Sequence, residues 1–71
     1  DASAYADFTR ELAKKGQGSY GEMMLCYAIT NTLTEFPEIK RVQILIEGKK
    51  VITLSGHMDI EDPLTRNTTL L

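Results

Sequence analysis

Apolar residues recur at helical spacing through Ser19–Pro37, SYGEMMLCYAITNTLTEFP, and the rest of the chain is arranged around that stretch. Placed at roughly 100° steps, Leu25, Ile29, Leu33 and Phe36 form one stripe, with Cys26 on its edge. This stripe is expected to face a sheet. Tyr20, Met23, Met24 and Tyr27 fall on the opposite side, so the first two turns are apolar nearly all round. A helix of that kind is covered on two sides, the second cover being either the N-terminal loop of the same chain or another protein. The helix has readable ends. Ser19 and Glu22 stand three residues apart, as in a capping box, and Pro37 disfavours helix at Phe36.

The flanking patterns have a period of two. In Asp1–Phe8, Ala4, Ala6 and Phe8 alternate with Tyr5 and Asp7, which reads as a strand. Thr9–Lys15 fits one helical turn capped by Thr9, followed by loop to Gly18. Arg41–Glu47, RVQILIE, is aliphatic, β-branched and alternating, and Lys50–Ser55, KVITLS, repeats the pattern. Gly48-Lys49 between them suits a type II′ turn. That register sets Leu45 opposite Ile52, Gln43 opposite Leu54, Ile46 opposite Val51 and Ile44 opposite Thr53. Both faces of this hairpin are apolar near the turn. Gly56 ends the second strand, and Met58 and Ile60 are spaced to anchor an acidic extension over residues 57–63. The expected fold is α+β: a strand-helix-strand-strand unit of two layers, with one main helix on a three-stranded sheet and a right-handed crossover between parallel strands. Residues 1–64 form the domain, and 65–71 read as a loosely held tail from which Leu70-Leu71 could dock.

Length sharpens this picture. The chain has 71 residues, one of them cysteine, so a single domain without a disulfide must hold itself together. A core of this size supplies no more than ~3–5 kcal/mol, which gives surplus apolar surface a reason to seek a partner. The net charge is −2, giving no electrostatic ground for nucleic acid or an anionic membrane. No apolar run is long enough to span a bilayer, and no signal peptide is visible. The chain opens at Asp1 without a methionine, as a piece of a longer protein would.

Candidate chemistry is sparse. Cys26, His57 and Asp59 supply the residue types of a thiol triad, but Cys26 sits beside the packed stripe and nothing lowers its pKa. His57, Asp59, Glu61 and Asp62 lack the spacing of a metal site. Gly16, Gly18 and Gly21 match a dinucleotide-binding glycine pattern without the preceding strand or the following acid it requires. Lys40-Arg41 and Lys49-Lys50 stand on strands with no aromatic residue to stack a base, and read as charges that keep strand edges apart. No catalytic residue, metal or cofactor is expected.

The run Thr32-Leu33-Thr34-Glu35-Phe36-Pro37, continued by Lys40–Lys49, together with Gly56, His57 and Asp59, resembles the GerMN domain of sporulation and spore-germination proteins. The resemblance covers about residues 1–64, and Asp1–Phe8 matches the family's strand before its variable loop. It implies an extracytoplasmic module, often in lipoproteins or other envelope proteins, that acts by protein–protein contact or self-association. It also implies a fold likened to ring-building modules, and a further strand–helix segment upstream. On this reading Tyr20, Met23, Met24 and Tyr27 form the partner-facing strip of a non-enzymatic module. The alternative is a domain that binds cell-wall fragments or a small ligand through Thr30, Asn31 and His57, accessory to an envelope hydrolase.

Overall fold

The computed structural model describes residues 2–13, 18–54, 56 and 59–67, with Leu12, Ala13 and Ser19 described by backbone alone. The elements run β1 (Ser3–Phe8), α1 (Arg10–Ala13), α2 (Gly18–Leu33) and β2 (Arg41–Ile46). β1 and β2 pair in parallel, Ala4 beside Val42, Ala6 beside Ile44 and Phe8 beside Ile46, with α2 in the connection between them. Side chains alternate along β1 as its sequence predicts: Ala4, Ala6 and Phe8 turn inward while Tyr5 and Asp7 are exposed. Beneath α2, the inward residues Ile44 and Ile46 join Cys26, Leu54, Ile60 and Leu64 in one core, with Ala6, Phe8, Leu25, Tyr27 and Val51 packed around it.

Among the described residues the third strand does not form. The described sheet has two strands, and residues 50–54 are irregular, with Thr53 bridging Asp59 and Ile52 O accepting the Ile60 N–H at 2.8 Å. The cause lies in the turn. Its two central residues are Glu47 and Gly48, with φ of 52° and 77°, and it is closed by Ile46 and Lys49, each N–H donating to the other's carbonyl at 2.9 and 3.0 Å. Positive φ at both central positions is a type I′ turn, one residue earlier than the expected Gly48-Lys49. Moving the turn one residue earlier displaces the expected cross-strand pairs by two residues, and among the described residues beyond Lys49 no ladder with β2 follows. Leu54 enters the core while Ile52 is 66% exposed.

Other groups occupy the free edge of β2. Val42 and Leu64 exchange N–H···O bonds of 2.9 and 2.8 Å in an antiparallel bridge. Between this bridge and the Lys49 turn, the buried Gln43 side chain donates from Nε2 to the carbonyls of Ile44 (3.2 Å) and Ile60 (3.0 Å) and, at 3.4 Å, of Glu61. A side-chain amide thus closes the gap where a strand was expected.

Turn strain is partly repaid at Glu47. Its carboxylate accepts the Arg10 N–H at the start of α1 (2.9 Å), and Asp7 Oδ1 accepts the Gly48 N–H (2.8 Å). Gly48 has no such compensation for a side chain at positive φ. A Cβ there would meet only Asp7 Oδ2 at 3.8 Å, so Gly48→Ala suffers from backbone strain alone. It is expected to lower stability by about 1 kcal/mol, read as a reduced urea midpoint with an unchanged slope.

The central helix ends earlier than its apolar pattern. Thr30, Thr32 and Thr34 donate their hydroxyls to the carbonyls of Cys26 (2.8 Å), Ala28 (2.7 Å) and Thr30 (2.8 Å). Such back-bonding loosens a helix, and beyond Leu33 the chain continues in tight turns, Glu35 N–H to Thr32 O and Phe36 N–H to Leu33 O. Phe36 therefore leaves the expected stripe and is 56% exposed. At the other end α2 begins at Gly18, so Ser19 lies inside the helix rather than capping it, and the side-chain half of the expected capping box falls outside what is described.

Candidate helix surface

The buried line of α2 is Glu22, Cys26, Thr30 and Asn31, which places the core one step round from the stripe Leu25, Ile29 and Leu33. Those three aliphatics are only half-buried. Ala28, Ile29, Thr32 and Leu33 line an open, apolar groove of about 290 Å³. The helix turned this way because its opposite flank is held by the C-terminal arm. Asn31 Nδ2 donates to Asn67 O at 2.8 Å and its Oδ1 accepts the Asn67 N–H at 2.9 Å. Arg66 donates to Asn31 O (2.9 Å) and pairs with Glu35 (2.6 Å). Arg66 and Asn67 of the expected 65–71 tail are held by these bonds; residues 68–71, Leu70-Leu71 among them, lie outside the described residues.

The strip Tyr20, Met23, Met24 and Tyr27 lies on the arm's side of the helix but nearer its N-terminus. Tyr20 is 67% exposed, Met23 and Met24 are half-buried, and Tyr27 is half-buried with its ring against the core. The strip is thus graded, open at Tyr20 and partly covered by the chain itself at Tyr27. Among the described residues, then, apolar surface remains on both flanks of α2.

The polar candidates of the sequence are engaged in structure. Cys26 is fully buried, and burial first, then the negative charge of Glu22, pushes its thiol up to about 11. A thiol held protonated in this way is a poor nucleophile. Asp59 bridges to Thr53, and its Oδ1 accepts the Glu61 N–H at 3.0 Å. His57 lies outside the described residues, and among those described no three His, Cys, Asp or Glu side chains converge on a metal position. Thr30 and Asn31, the residues of the ligand-binding alternative, spend their polar groups on Cys26 and Asn67 and present none to a pocket. Gly18 and Gly21 are taken into α2, and Gly16 is outside the described residues. Arg41 donates to Ser3 Oγ at 3.3 Å, and Lys49 closes the turn.

What sequence reasoning missed is Gln43. Its alternating position in an aliphatic strand suggested a cross-strand partner, whereas it is the buried clamp that locates Ile60 and the arm. The available signal was a lone amide in a strand apolar on both faces, where only a paired polar group is tolerated.

No helix among the described residues is long and apolar enough to cross a membrane. No curated protein and no solved structure matches the chain, so the expected likeness to ring-building modules stays an implication of the resemblance. A family model does match, over residues 1–52, covering β1, both helices, β2 and its turn. Its description is Germane, sporulation and spore germination, and the chain belongs to that family.

Proposed function

We propose that the domain is a non-enzymatic, extracytoplasmic interaction module of a sporulation or germination protein, and that Tyr20, Met23 and Met24 with the edge of Tyr27 are its partner-facing strip. The observation that carries the reading is Tyr20, an aromatic side chain left 67% exposed beside two half-buried methionines. Aromatic and methionine side chains are enriched where protein surfaces meet, and methionine adapts to irregular partners. The protonated, buried Cys26 and the internally satisfied Thr30 and Asn31 support a role without chemistry. The partner is another protein, and the parent holds the module at the envelope or spore membrane.

Met24→Asp is the expected discriminating variant, with Tyr20→Asp as its companion. Each places a charge in the contact and is expected to weaken partner binding at least tenfold while far-UV circular dichroism stays unchanged. Tyr27→Asp is less informative, since its ring also supports the core. The check is complementation in the native host: spore yield and germination should fall for Met24→Asp and Tyr20→Asp. Wild-type levels for both variants would remove the strip from this role.

A further inference from the structure

The described residues between Ile52 and Asn67 form an arm tied to itself. The Ile60 N–H donates to Ile52 O at 2.8 Å, and Thr53 bridges Asp59. The arm grips the rest of the molecule through residues far off in sequence. Leu64 exchanges N–H···O bonds with Val42, Gln43 donates to Ile60 O, and Asn31 and Glu35 hold Asn67 and Arg66. Leu54, Ile60 and Leu64 supply part of the core. The turn at Glu47 and Gly48 joins β2 to all of this. Glu47 has φ of 52°, and among the described residues it is the non-glycine residue at positive φ, a conformation that strains an L side chain. The bonds that offset the strain, from Arg10 N–H to Glu47 and from Gly48 N–H to Asp7, are exposed, so water replaces them when the turn opens. Beyond the turn, KVITLS carries a strand pattern that residues 50–54 leave unused.

We propose that this turn opens and that the arm of each chain closes on β2 and α2 of a second copy, giving an arm-exchanged dimer. In the open form Glu47 leaves its strained φ, and Val51, Ile52 and Thr53 take the extended conformation that β-branched residues favour. A second copy is the occupant because it carries the same arm. The contacts at Asn31, Glu35, Val42 and Gln43 are remade between chains with the same partners, so the buried bonds and the core are kept. Opening therefore gives up only the Ile46–Lys49 pair and the two exposed bonds of the turn. Against this stands the lost freedom of two separate chains, so concentration decides between the closed monomer and the dimer. A short connection under strain is the circumstance in which such exchange is favoured. The surface used, the outer edge of β2 with the Asn31 flank of α2, is distinct from the Tyr20 strip, so it stands or falls separately from the proposed function.

The test is analytical ultracentrifugation and NMR of the 71-residue chain refolded from urea at high concentration. The expected result is a monomer and a dimer that interconvert slowly, because exchange passes through loss of the core. In a dimer refolded from an equal mixture of nitrogen-labelled and carbon-labelled chains, isotope-filtered NOEs between Val42 and Leu64 should connect different chains. Gly48→Ala strains the closed turn, twice per dimer formed, and should raise the dimer association constant at least tenfold. Glu47→Gly relieves the strain and should lower the constant at least tenfold. Met24→Asp should leave it unchanged. A wild-type chain that stays monomeric at the highest soluble concentration overturns the proposal, as does a dimer whose Val42–Leu64 NOEs lie within one chain. So does a dimer constant that either turn variant leaves unmoved. A dimer abolished by Met24→Asp overturns it too and assigns self-association to the Tyr20 strip.

Discussion

Ile44→Ala is expected to leave the domain largely unfolded at 25 °C. Ile44 is fully buried in the middle of β2, beside Ala6 in the sheet and within the cluster that includes Cys26, Ile46 and Ile60. Truncating such a side chain costs about 2–5 kcal/mol, transfer and cavity together, while a core of this size supplies no more than ~3–5 kcal/mol in all. The neighbours cannot collapse into the space, because β1 offers only the methyl of Ala6 there and β2 is fixed on both edges. Far-UV circular dichroism and urea titration read the result. Ile52→Ala is the control. Ile52 is 66% exposed, so its loss should change stability by no more than about 0.5 kcal/mol. In the hairpin that the sequence pattern suggests, Ile52 would face Leu45 across the strand pair and the two variants would both be costly. Equal destabilisation by the two would contradict the described fold.

That contrast shows where the sequence was readable. β1, α2 and β2 each carry a sustained period, of two or of 3.6, and each forms within a few residues of its expected bounds. Alternation in SAYADF follows from burial on one face, so Ala4, Ala6 and Phe8 turn inward together as the pattern implies, whereas RVQILI is buried on both faces and its period does not say which face meets α2. KVITLS has the same local pattern, yet its described residues, 50–54, are not a strand. The difference is decided by turn dihedrals at Glu47 and Gly48, which no period encodes, and by competition from Leu64 and Gln43 for the edge of β2. Propensity supplies about 1 kcal/mol at most in such a choice, less than the tertiary contacts it competes with.

The rotation of α2 has the same origin. The periodicity located an apolar stripe, Leu25, Ile29 and Leu33, but the buried line contains Glu22, Cys26 and Thr30. Among the described residues no buried side-chain polar atom lacks a hydrogen-bond partner, so the cost that normally excludes such groups from a core is met. The Asn31–Asn67 pair, 36 positions apart in the chain, fixes the angle, and a contact of that range leaves no local trace in the sequence. Of the candidate strip, exposure at Tyr20 agrees with the helical wheel, while the covering of Tyr27 depends on where Leu54 and Ile60 come to lie.

Gln43→Met is expected to release the C-terminal arm while sparing the β1–β2 pair. The substitution keeps the volume and removes the donor. Gln43 Nε2 has two hydrogens, shared among the Ile44, Ile60 and Glu61 carbonyls, and a buried acceptor left unpaired costs about 1–3 kcal/mol. Ile60 is fully buried and its own N–H reaches Ile52 O at 2.8 Å, so the loss is felt on both sides of the 50–60 segment. Amide hydrogen exchange resolves the effect by position: Ile60, Leu64 and Asn67 should exchange faster, whereas Gln43 and Leu45, bonded toward β1, should keep their protection relative to global stability. Because the arm holds the Asn31 flank of α2 and Ile60 and Leu54 form the core beside Tyr27, the same variant should expose more of Met24 and Tyr27. Oxidation of Met24 by dilute peroxide, followed by mass spectrometry, measures that exposure and is expected to accelerate. Uniform exchange changes across both strands, with unchanged Met24 reactivity, would show that Gln43 serves the sheet as a whole and not the arm.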